Sequence, residues 1–175
     1  MTNQLSPQEI ADRAKHVYEA GDYLQAAQAY IEAASAYESA GDALTSAEMK
    51  NNRSVALLLA GEAQAALEVV EGTEKIFADS GDFRRQGMAL ANQAAALQAL
   101  KRVNDAIEYY KRAGVALEKA NEGDLRADVM QQLSVFYLRR FKLYDAIIAL
   151  QSGLASVKNP NKKQRLMKKI LFIHR

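Results

Sequence analysis

Ala20-Gly21-Asp22-Tyr23 returns forty positions later as Ala60-Gly61-Glu62-Ala63, then more loosely as Leu100-Lys101-Arg102-Val103 and Arg140-Phe141-Lys142-Leu143. Around these four stretches the register holds. Seven residues before the second member of each stand Ala14, Ser54, Ala94 and Ser134; five after it stand Ala26, Ala66, Ala106 and Ala146. An apolar residue follows each alanine (Ala27, Leu67, Ile107, Ile147), and a large one lies four beyond it (Tyr30, Val70, Tyr110, Leu150). A second turn falls half a period on, at Ala40-Gly41-Asp42, Ser80-Gly81-Asp82 and Glu122-Gly123-Asp124, the last displaced by two. Self-similarity at such a period is the mark of a repeat array.

Between turns the apolar residues recur at helical spacing, as in Met49, Val55, Leu57, Leu58 and Leu59, so each unit reads as two helices. Glycine accepts the left-handed conformation that ends a helix, and the aspartate after it caps the next. Ser6-Pro7-Gln8-Glu9 is a capping-box start. Asn159-Pro160-Asn161 interrupts the last unit. The pattern predicts nine helices and no strand: units at about 7–41, 42–81, 82–121 and 122–158, and a last helix at about 161–173. The small residues belong at helix crossings, where axes approach to about 8 Å only if side chains are short.

Composition agrees. Of 175 residues, 32 are alanine and two are proline, a balance that favours helix. There is no cysteine, which excludes disulfides, thiolate metal sites and thiol catalysis. No secretion signal or membrane-spanning stretch is read, so a soluble cytoplasmic protein is expected. Charge is uneven. After Asp145 there is no acidic residue, and seven of the 23 basic residues fall in the last 18 positions, leaving 16 basic against 21 acidic before them. A mildly acidic body gives no reason to expect nucleic-acid binding.

The small residue mid-way along a first helix, the short turn, and an alanine four before a bulky residue resemble the tetratricopeptide repeat (TPR) family, from about Pro7 to Val157. Asn52 and Asn92 stand where that family often has asparagine. The family's tryptophan is absent, its leucine beside the small residue survives only as Leu133, and the period is 40 rather than 34, as in long-helix relatives such as the soluble NSF-attachment proteins. HEAT and armadillo repeats share the period but not the alanine-and-aromatic spacing. The resemblance implies an all-α, right-handed superhelix of four helix pairs plus a capping helix. It also implies a scaffold whose concave groove, lined by first helices, takes a peptide or amphipathic helix of another protein. Its groove positions map onto Lys15, Tyr18, Asn51, Val55, Leu58, Leu59, Met88, Ala95, Gln98, Gln131, Val135, Leu138 and Arg139. A clamp for an acidic chaperone tail is not expected, because Ala11 and Met88 stand where basic residues would be wanted. The same apolar residues could equally be core, or lie under a second copy or the chain's own tail.

In the last helix Leu166, Met167, Ile170, Leu171 and Ile173 share one face, while Lys162, Arg165, Lys168 and Lys169 lie largely on the other with Phe172 among them. The structural reading is a cap over the last repeat. The functional one is a basic amphipathic segment docking to an acidic partner or a membrane surface. Catalysis is not expected, and no cofactor or metal is implied. No phosphate-binding glycine motif occurs, and His16 and His174 cannot assemble a triad. Glu68, Glu71 and Glu74 read as one solvated helix face.

Overall fold

The computed structural model describes residues 5–171. The described chain is helical with no strand. α1 (Pro7–Glu19) pairs with α2 (Tyr23–Ser39) and α3 (Ala43–Leu59) with α4 (Ala63–Val70) and α5 (Thr73–Asp79). α6 (Phe83–Ala99) pairs with α7 (Val103–Lys119), and α8 (Gly123–Arg139) with α9 (Leu143–Ala155). α10 (Lys162–Leu171) follows. Each pair packs on the next in chain order.

One device sets the period. The residues at 21, 41, 61, 81, 101, 121 and 141 all have positive φ. At each, that residue's N–H donates to the carbonyl three back, and the next N–H reaches the carbonyl five back, as in Gly21 to Tyr18 and Asp22 to Val17. This is the Schellman closure, which satisfies carbonyls a helix end would otherwise leave unpaired. Five of the helices between these turns are 17 residues long, about 25 Å each. Asp22, Asp42 and Asp82 then accept from the N–H groups of Gln25, Thr45 and Arg85. At the chain's start the Ser6–Glu9 capping box forms in both directions.

The expected crossings are occupied as read. Ala14, Ala26, Ala66, Ala94 and Ala106 are 0% exposed, and Ser54, Ser134 and Ala146 are 1%. The Ser54 hydroxyl donates to the Ala66 carbonyl at 2.8 Å, so two small residues meet across one pair. Tyr110 reaches the following unit, its ring 5.9 Å from that of Phe136.

Three details differ from the sequence reading. The turn between α7 and α8 is not displaced: Asn121 takes the left-handed position (φ 56), and Gly123 is the first residue of α8. Gly123 is needed for proximity, since a Cβ there would lie 2.0 Å from the Ser156 carbonyl oxygen. Secondly, the second helix of the second unit is broken at Glu71–Gly72, with Gly72 at φ 84, so the expected nine helices include one in two pieces. The break carries Glu74 inward. It is 6% exposed and accepts from the Gln93 amide at 2.9 Å, whereas Glu68 and Glu71 stay exposed. Thirdly, the apolar stripe of α10 is split. Met167 and Leu171 are half-buried, but Leu166 and Ile170 are 59% and 61% exposed.

Candidate functional site: the first-helix face

The groove positions lie on α1, α3, α6 and α8. At the N-terminal end Lys15, Tyr18 and Val55 line one cleft of about 290 Å³ with Glu19, Tyr30 and Asn52. Tyr18 is held there by its ring contact with Tyr23 at 5.7 Å. Lys15 is exposed and 3.9 Å from Glu19, one turn further along the same helix.

Further along, the positions divide. Asn51 is only 6% exposed, and its carbonyl accepts from Thr73 at 3.3 Å. The Thr73 hydroxyl shares its single hydrogen with the Val70 carbonyl at 2.8 Å, so Asn51 braces the α4–α5 break and is not presented to a ligand. Leu58 packs against the core. Gln98 is half-buried and accepts from the Tyr110 hydroxyl at 3.0 Å; burial pushes Tyr110 up to about 12. Ala95 is half-buried. The outward residues are Leu59 (52%), Met88 (37%), Val135 (37%) and Leu138 (47%), with exposed Gln131 and Arg139.

Between α3 and α6 the face carries charge. Arg85 bridges Glu48 at 3.0 Å and Asp82 at 2.6 Å, its guanidinium 5.2 Å from the Phe77 ring centre. Burial pushes the Asp82 carboxyl up, but hydrogen bonds from Arg85 and its charge outweigh that and hold it below the ordinary aspartate range.

On α10, Lys162 and Lys169 are exposed. Arg165 and Lys168 anchor the helix by donating to the Pro160 and Val157 carbonyls at 2.9 and 3.2 Å. Phe172 lies outside the described residues.

Two features were not singled out from sequence. Arg126 is 8% exposed and donates to the Gly114 and Ser152 carbonyls and to the hydroxyls of Ser152 and Ser156, tying α7, α8 and α9 together. Phe141 is 97% exposed in a left-handed conformation; its alignment with Gly21, Gly61 and Lys101 was the signal that could have found it. Among the described residues no three histidine, aspartate or glutamate side chains come together to hold a metal ion, and no helix is long and apolar enough to cross a membrane.

The architecture is that of a TPR-like repeat solenoid. It is similar to crystal structures of the nearly identical TPR-like repeats of a putative kinesin light chain from Podosopora anserina. One aligns with a TM-score of 0.70 at 16% identity, covering 94% of this chain and 82% of that one. A single-substitution variant of the same protein aligns with a TM-score of 0.72 at 16% identity, covering 97% and 86%. No family model and no curated protein matches the sequence.

Proposed function

We propose that the chain is a non-catalytic binding scaffold whose first-helix face holds a peptide or amphipathic helix of a partner protein. One observation carries this reading: Leu59, Met88, Val135 and Leu138, on three successive first helices, remain 37–52% exposed. Apolar side chains left exposed on three successive first helices suit an occupant that presents apolar residues of its own. Asn51 and Leu58 serve the fold, so the test uses outward residues. A pull-down from the native host's lysate with Leu59→Glu/Leu138→Glu is expected to lose a protein that the wild type captures, with the melting temperature little changed. Capture of the same protein by both would sink the groove reading.

A second reading concerns the C-terminal end. Leu166 and Ile170 project outward on a helix whose charged residues are all basic, which supports docking to an anionic surface, an acidic protein or a membrane. Charge reversal at Lys162, Lys163 and Lys169 then weakens binding to any such surface. Binding that survives the reversal counts against α10.

A further inference from the structure

Phe141 occupies a left-handed turn position that glycine fills in four of the seven turns. The equivalent residues at the first-to-second helix turns are Gly21, Gly61 and Lys101, and a bulky L-residue is disfavoured in this conformation. The ring, 97% exposed, gives no packing in return. A strained residue that stability does not account for points to function.

Its surroundings share the anomaly. Leu143 is 62% exposed, Tyr144 77% and Ile148 43%. Ile148 stands where Gln28, Glu68 and Glu108 stand in the earlier units, and Tyr144 where Gln64 and Asn104 stand, with Leu24 in the first. A solvent position of the repeat has therefore turned apolar in the last unit alone at 148, and at 144 in the last unit as in the first. Arg139, Arg140 and Lys142 flank the aromatic and are exposed, and Asp145 is the only acidic residue after Asp128.

We infer that the α8–α9 turn inserts into an anionic phospholipid bilayer, with Phe141, Leu143 and Tyr144 entering the interface and Arg139, Arg140 and Lys142 holding headgroups. The inference rests on the second reading above and names both its surface and its point of entry. Exposure favours lipid over an acidic protein: the ring at the turn is 97% exposed, with Leu143 and Tyr144 exposed beside it, and a bilayer accepts such side chains without a matching socket. Aromatic rings at interfacial depth with basic side chains reaching the headgroups are the usual means of surface attachment.

The test is co-flotation of the full chain with phosphatidylcholine vesicles, with and without phosphatidylserine. Wild type is expected to float with the anionic vesicles only, and less so as salt rises. Phe141→Gly places glycine in a left-handed turn, so it keeps the fold while removing the wedge, and is expected to weaken partitioning by about tenfold. The chain has no tryptophan, so Phe141→Trp adds a single reporter whose emission shifts to the blue on insertion. If Phe141→Gly floats as wild type does while charge reversal on α10 abolishes flotation, the anionic-surface reading stands and the insertion is overturned. If wild type ignores vesicles but binds immobilised polyglutamate, the surface is a protein and the insertion is overturned. If it binds neither, both readings fall together.

Discussion

The turns set twenty residues apart make the same hydrogen bonds before residue 100 and after it, from different residues. Gly21, Gly41, Gly61 and Gly81 close the first four, and three of these are followed by an aspartate that caps the next helix. Lys101, Asn121 and Phe141 close the last three, and Arg102, Glu122 and Lys142 after them make no side-chain cap. The Schellman closure is thus specified by the repeat's packing, and the residue at its centre decides only how favourable it is. The two regions also differ at the surface. Among the described residues, eight of the 14 exposed large apolar side chains lie from Val135 onward, against six before it. The early turns are chosen for stability, and the late ones carry side chains that stability does not require.

The contrast is tested most severely at Arg126. Removing it by Arg126→Ala deletes four hydrogen bonds between helices, made by a side chain whose residue is 8% exposed, and is expected to cost about 3 kcal/mol. Arg126→Lys recovers little, because a single ammonium cannot span partners on α7 and α9. Full recovery by lysine in urea unfolding would mean the fork geometry is irrelevant. Ala106→Leu comes next. That crossing is 0% exposed, and overpacking is expected to destabilise by about 1–3 kcal/mol. An unchanged melting temperature would show slack between α6 and α7.

The smallest effects separate the two kinds of turn directly. Asp82→Ala removes a cap and a partner of Arg85 and is expected to cost about 1 kcal/mol. Because the Asp82 carboxyl is held low in the fold, its contribution is present above the ordinary aspartate range. It is lost as pH falls through the folded value, so wild type and variant should converge in acid. Lys101→Gly supplies the residue the early turns already have and is expected to stabilise by about 1 kcal/mol. A loss of stability instead would mean that the Lys101 side chain makes a contribution the turn geometry does not reveal.

Much of this was open to reading in the chain because it is local. The 40-residue period, the glycine and aspartate turns, and the small residues at 14, 26, 54, 66, 94, 106, 134 and 146 follow from helical spacing and backbone preference, which act within a few residues. The candidate face was legible only as a set of positions. Tyr18 and Val55 do line one cleft, yet Asn51 braces a helix break and Gln98 accepts from Tyr110, since both depend on helices 12 to 22 residues away. The same limit hid Gly123, whose role is a close approach to Ser156 and not a turn. It also hid Glu74, which the kink at Gly72 turns inward from a face that spacing alone leaves in solvent. Periodicity states which residues share a face. Only the packed neighbours decide whether that face is core, brace or open surface, because burial is set by what arrives from elsewhere in the chain.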